Sequence, residues 1–180
     1  MLPQETITAF DSFLAERGES FEAVIIGSTA LALLGILNRH TKDCNVLDPE
    51  IPGHIQRSAR EFAEEQRQAG VPIADDWLNN GPDTLKRDLD EGWRERLQLA
   101  FAGKAMKLHT LGRLDLLASK LYALCDRGTD LGDCLAMEPT REEIEQVRPW
   151  VEERDGNPLW PEHVRRTLED LMQRSGDGLQ

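Results

Sequence analysis

An apolar run from Phe21 to Ile26 stops at Gly27-Ser28, and fifteen residues beyond Ser28 stands Asp43, followed by Cys44 and Asn45. No other feature of the chain constrains its fold as much. The first run is short, rich in β-branched residues and closed by turn formers, as a buried strand is. Gly27-Ser28 makes a tight turn, Thr29 to Leu34 is compact and helical, and Gly35 is a natural helix stop. A second strand runs from Cys44 to Leu47 and ends at Asp48-Pro49. Asp43 and Asn45 are two apart and so share one strand face, while Cys44 points to the other, into the core.

The remaining pattern fills in around these strands. Ile7, Phe10, Phe13 and Leu14 recur at helical spacing over residues 5–17, and Gly18 ends that helix. A polar helix over Ile55 to Gln68 carries Ala59, Phe62 and Ala63 on one face. Val71 to Trp77 reads as a third strand, with Asn79-Asn80-Gly81 as a hairpin turn. Glu95 to Phe101 and Ala105 to His109 form a hairpin about Ala102-Gly103-Lys104. Helices follow. Arg113 to Asp126 presents Leu114, Leu117, Leu121 and Leu124, and Leu131 to Met137 is short. Thr140 and Glu143 have capping-box spacing for a helix to about Glu153. Pro161 opens a last helix to about Arg174, and the tail SGDGLQ frays. The class is α/β (α+β): a small mixed sheet flanked by helices, then a helical C-terminal half. Residues 1–112 form the α/β core and 113–180 a helical region packed on it, one compact domain overall.

Charge narrows the partners. With 21 Lys and Arg against 33 Asp and Glu, the net charge is −12, which argues against a general affinity for nucleic acid. No run approaches the roughly 20 apolar residues of a membrane span, and MLPQETITAF has neither the basic nor the apolar segment of a signal peptide. Three cysteines, Cys44, Cys125 and Cys134, make neither a disulfide framework nor a C-x-x-C zinc pair. A reducing, cytoplasmic setting is expected.

Two groups of residues carry the chemistry. A strand–Gly-Ser–helix unit presents backbone N–H groups and a hydroxyl where phosphate can sit. Asp43 and Asn45 beside it place two oxygen ligands on one face, as a divalent metal holding a nucleoside triphosphate needs. The same spacing also suits an ordinary strand-to-helix turn with a solvated carboxylate at the strand end. In the second group, Arg113, Lys120 and Arg127 lie seven apart along one helix, a stripe on which a triphosphate can land. Arg127 can pair with Asp130 or Asp133. A solvated helix face with long apolar stems reads the same way.

The stretch VIIGSTALALLGILNRHTKDCNVL resembles the signature of the nucleotidyltransferase superfamily, which shares the DNA polymerase beta fold: Gly-Ser after one strand, then an acid-x-acid pair on the next. The lead-in Arg39-x-Thr41-x-Asp43 is similar to the AbiEii-type branch, whose members include toxins of toxin–antitoxin systems. A second block, Lys120-x-x-Ala123-x-x-x-Arg127 with Asp130-x-x-Asp133 behind it, is similar to a later motif of that branch. More broadly the chain looks like a small bacterial nucleotidyltransferase-like family. The matched blocks cover residues 22–48 and 113–135.

The resemblance implies a nucleotidyltransferase-like sheet topology and transfer of a nucleoside monophosphate from a nucleoside triphosphate to an acceptor that is RNA, protein or a small molecule. It implies Mg²⁺ or Mn²⁺ as cofactor, possible pairing with an antitoxin, and no membrane. Asp43, Asn45, Lys120, Asp130 and Asp133 would be catalytic, and Gly27, Ser28, Arg39, Thr41, Lys120 and Arg127 would bind nucleotide. Asp43 and Asn45 would hold the metal with a third carboxylate. Leu97 to His109 contains none, so Asp75 or Asp76 is the candidate, Asp76 being the one assigned. One departure stands out: the superfamily pattern has an aspartate where this chain has Asn45. An amide oxygen can ligate a metal but brings no charge, which marks an impaired metal site, natural or introduced. The alternative is therefore a catalytically inactive nucleotide-binding or regulatory interaction module.

Overall fold

The computed structural model describes residues 2–177; residues 178–180, the end of the tail expected to fray, lie outside them. The chain divides into two compact units, residues 1–112 and 113–180.

The first unit is built on a five-stranded mixed sheet in the order β3-β2-β1-β5-β4. The strands are β1 (Phe21–Ile26), β2 (Cys44–Asp48), β3 (Leu78–Asn79), β4 (Gln98–Ala102) and β5 (Met106–Thr110). β1 and β2 run antiparallel with Ile26 opposite Asn45, so the two strands expected to be neighbours are hydrogen-bonded neighbours. β5 lies parallel to β1 on its other side, and β4 pairs antiparallel with β5 as the expected hairpin. The α/β class expected from the patterning is the observed one.

The helices of this unit are α1 (Pro3–Glu16), α2 (Gly27–Leu33) and α3 (Gly53–Gln68). Their apolar faces close a core that includes Phe10, Phe13, Phe62 and Trp77. Phe10 meets Trp77 edge-on at 5.1 Å and Phe62 at 5.2 Å between ring centroids, the tilted geometry that ring quadrupoles favour.

Three expectations need correction here. Gly27-Ser28 is not a turn before the helix: α2 begins at Gly27 itself, whose φ of +81° is the left-handed value that glycine tolerates. Residues 71–77 are not a strand. Pro72 cannot donate to a ladder, and the Trp77 indole is instead buried and donates to Ala59 O at 3.1 Å, which leaves only Leu78–Asn79 to pair with β2. Nor is Asn79-Asn80-Gly81 a hairpin turn: β3 is an edge strand that pairs with β2, and the segment after it does not pair back onto it. Asn80 instead accepts from Ile51 N and donates to Val46 O and Pro49 O, filling the hydrogen-bonding needs of the segment after β2.

The β4–β5 turn is held by a residue with no local signal. Asp11 of α1 accepts from the backbone N–H groups of Lys104, Ala105 and Met106 at 2.9, 2.9 and 2.7 Å, and is itself buried. A Cβ on Gly103 would run into this carboxylate, so glycine suits the position. Burial pushes the Asp11 carboxyl up, but the three N–H donors and the Lys104 charge together hold it below the ordinary carboxyl value. A carboxyl lower in the folded than in the unfolded state stabilises above its unfolded pKa of roughly 3.9, and that contribution is lost as pH falls through the folded value. Asp11→Ala is expected to lower stability at pH 7 by about 2–3 kcal/mol, since it strands three donors. It is also expected to flatten the loss of stability on acidification below about pH 4. Urea melts at pH 7 and pH 3 measure both; an unchanged pH 7 midpoint counts against the clasp.

The second unit is helical: α4 (Arg113–Arg127), α5 (Leu131–Ala136), α6 (Arg141–Glu152) and α7 (Trp160–Asp177). α4 buries Leu116, Leu117, Leu121 and Leu124, with Leu114 only half-buried. The expected capping box opens α6: Glu143 N donates to Thr140 Oγ1 and Thr140 N to a Glu143 carboxylate oxygen. α7 starts one residue before Pro161 and extends past Arg174 to Asp177. No helix among the described residues is long and apolar enough to cross a membrane.

Candidate active site

In the first unit the β1–α2–β2 segment gathers most of the residues expected at a nucleotide site. Ser28 lies in the first turn of α2, and Arg39, on the segment from α2 to β2, donates from Nη2 to Ser28 Oγ at 3.2 Å. Thr29 and Thr41 are buried and hydroxyl-bonded at 3.1 Å, and Thr29 donates to the backbone carbonyl of Asp43 at 2.6 Å. These two threonines fix the chain leading into β2. Thr41 was legible from its place before Asp43, whereas Thr29 looks like an ordinary polar residue at a helix start.

Asp43 and Asn45 do share a face, and they touch. Asn45 Nδ2 donates to Asp43 Oδ1 at 2.9 Å. Two glycines border Asn45. A Cβ on Gly27 would lie 3.7 Å from Asn45 Nδ2, and one on Gly81 would lie 3.5 Å from Asn45 Oδ1 and 2.9 Å from Asn79 Oδ1. Asn79 is the register partner of Asn45 across β2 and β3, and its Oδ1 accepts from Gly81 N at 2.8 Å. Neither Asn79 nor Gly81 was singled out as a site residue by sequence, because a two-residue strand leaves no period to read. Cys44 is fully buried on the opposite face, and burial, with the Asp43 charge second, pushes its thiol up to about 12. Burial raises Cys125 to about 11 and Cys134 to about 12, so none of the three is a thiolate nucleophile at neutral pH.

Asp76 is exposed, and with Asp75, Asn79, Asn80, Gln56 and Arg60 it lines an open groove of about 820 Å³. Asp75 is paired with Arg67 at 2.7 Å. Among the described residues no three His, Cys, Asp or Glu side chains gather to hold a metal.

The second unit holds the other motif. Lys120 is 4% exposed, with Nζ 2.9 Å from Asp130 Oδ1 and 2.6 Å from Asp133 Oδ2, and Arg127 adds a contact to Asp130 at 3.0 Å. Burial pushes the Asp130 carboxyl up, yet the bonds from Lys120 and Arg127 outweigh it and hold it below the ordinary value. Arg113, the first cation of the expected stripe, is bound by Glu143 and reaches the carbonyls of Met137 and Glu138. The stripe is thus three cations each held by carboxylates that follow α4 in the same unit, Asp130 just before α5, Asp133 in α5 and Glu143 in α6.

The chain belongs to a family described as a nucleotidyltransferase of unknown function (DUF6036), whose model matches residues 5–138. The match takes in the Gly27–Asn45 cluster and the Lys120–Asp133 network. No curated protein and no solved structure matches the chain.

Proposed function

We propose that the chain transfers a nucleoside monophosphate from a nucleoside triphosphate to an acceptor, with the Ser28–Arg39–Asp43–Asn45 cluster as the phosphate end of the site. The observation that supports this reading best is the gathering of these four side chains beside Gly27, in a chain of this family. The Arg39 guanidinium and the Ser28 hydroxyl bind phosphate oxygens, and Gly27 lets the backbone come close. Thr29 and Thr41 hold the Asp43 segment in register. The donor set is one carboxylate, Asp43, and one amide oxygen, Asn45. It suits Mg²⁺ or Mn²⁺ that carries its remaining ligands with it, since Mg²⁺ is commonly held by one or two carboxylates together with substrate phosphates. When bound, the cation supplies charge neutralisation on the triphosphate. The acceptor hydroxyl attacks the α-phosphorus, the bond to the bridging oxygen breaks, pyrophosphate leaves and the hydroxyl proton passes to solvent. Asp76, exposed and three residues before Asn79, is the candidate for a third acid. Lys120, Asp130, Asp133 and Arg127 take a positional part, holding α4 and α5 together.

The lead-in Arg39-x-Thr41-x-Asp43 supports a place near the AbiEii-type branch, and with it a cytoplasmic toxin countered by an antitoxin. In that role, expression of the native chain slows bacterial growth at least several-fold more than expression of Asp43→Ala. Equal growth curves contradict the toxin role. The acceptor is found by incubating cell extract with the protein and each α-labelled triphosphate and following which fraction, RNA, protein or small molecule, takes the label. Asn45 favours a second reading, an inactive nucleotide-binding module, for which triphosphate binds but no fraction is labelled.

A further inference from the structure

Position 45 does more than lack a charge. An amide can donate to a carboxylate only through nitrogen, so the 2.9 Å contact to Asp43 Oδ1 fixes which way Asn45 points. That contact occupies one oxygen of Asp43. It leaves Asp43 Oδ2 and Asn45 Oδ1 without a protein donor among the described residues. Gly27 and Gly81 border the amide, and a Cβ on either would meet it only in ordinary van der Waals contact, at 3.7 and 3.5 Å. An aspartate at 45 would instead set a second carboxylate against Asp43 at this distance, an arrangement that demands a proton or a cation between the two. With asparagine the pair is satisfied by its own hydrogen bond. Nothing in it calls for a cation in the absence of substrate.

We propose that Asn45 is a positioning residue that latches Asp43, and that by withholding a second charge it makes cation binding depend on the triphosphate: the metal arrives as the metal–nucleotide complex instead of loading the empty site. This rests on the proposed phosphate site, and adds to it an order of binding and a role for the amide. The latch holds Asp43 in one orientation until the phosphates, which carry most of the negative charge, bring the cation to it.

The experiment uses Mn²⁺ as the probe, followed by electron paramagnetic resonance and calorimetry on the full chain, first with the metal alone and then with a non-hydrolysable triphosphate. The native chain, Asn45→Asp and Asn45→Ala are compared, with circular dichroism confirming that each is folded. Expected for the native chain is no saturable uptake of Mn²⁺ alone in the micromolar range, and clear uptake once triphosphate is added. Asn45→Asp is expected to bind Mn²⁺ alone at least tenfold more tightly than the native chain, and to raise metal-dependent transfer at least tenfold. Asn45→Ala is expected to gain no such affinity and to weaken the triphosphate-dependent uptake about tenfold, which a merely structural role would not do. Native binding of Mn²⁺ alone as tight as that of Asn45→Asp overturns the proposal, as does Asn45→Ala matching the native chain with triphosphate. Failure of all three chains to bind triphosphate would refute the phosphate site itself, while the metal-alone comparison would still decide whether position 45 sets the cation demand.

Discussion

Asp133→Ala is expected to lower the unfolding free energy by about 3–5 kcal/mol, the range for removing one partner of a buried ion pair. Asp133 is 1% exposed and its carboxylate meets Lys120 Nζ at 2.6 Å. Deleting it leaves an ammonium that is itself 4% exposed with half of its carboxylate partnership gone. Asp130 limits the damage, because it stays 2.9 Å away, but it must also serve Arg127. Lys120→Met tests the same network from the other side. It removes the cation that two carboxylates share, of which Asp130 keeps Arg127, so its loss should be comparable. The double variant Lys120→Met/Asp133→Ala should recover part of that loss, since the remaining charge imbalance is smaller. Thermal and urea unfolding measure all three. A loss below about 1 kcal/mol for each single variant would mean that the network is solvated in solution and that its members are free for another role.

Asp43→Ala is expected to reduce nucleotidyl transfer about a thousandfold or more. Asp43 is the one carboxylate of the proposed donor set, and its loss removes the only negative charge that the cluster offers to a cation. A factor of a thousand corresponds to about 4 kcal/mol of transition-state stabilisation, within what removal of one well-placed electrostatic group costs. Stability should change little, because Asp43 is only half-buried and its backbone carbonyl keeps the Thr29 bond. Binding of a non-hydrolysable triphosphate through Arg39 and Ser28 should survive with modest weakening. The split between turnover and binding separates a catalytic carboxylate from one that shapes the fold.

How much of this was visible in the sequence follows from the range over which each signal acts. The β1–α2–β2 segment was legible because an apolar run, Gly27, Gly35 and Asp43 are all local marks, and local marks survive folding. The capping box at Thr140 and Glu143 was legible for the same reason. β3 was misplaced because a two-residue strand exists only by pairing with β2, and the Trp77 indole beside it answers to Ala59 on α3. The Asp11 clasp spans 93 to 95 residues and has no spacing to betray it. At the candidate site, the sequence showed that Asp43 and Asn45 share a face. It could not show that they bond each other, because that depends on the side-chain rotamers the two residues adopt in the folded strand. The Lys120 motif was visible as spacing, but its burial, which turns a possible phosphate contact into an internal ion pair, is a property of the assembled helices.

Transfer of the nucleoside monophosphate, with its α-phosphorus, is tested most directly by following two labels. The native chain is incubated with Mg²⁺, cell extract as the source of acceptor, and the same nucleoside triphosphate labelled in separate reactions at the α- or the γ-phosphorus; Asp43→Ala runs alongside. The expected result is α-label retained on an acceptor, γ-label released as pyrophosphate in equal amount, and both lost in Asp43→Ala. Label from the γ-position on the acceptor, release of inorganic phosphate alone, or equal α-incorporation by the native and Asp43→Ala chains would contradict it.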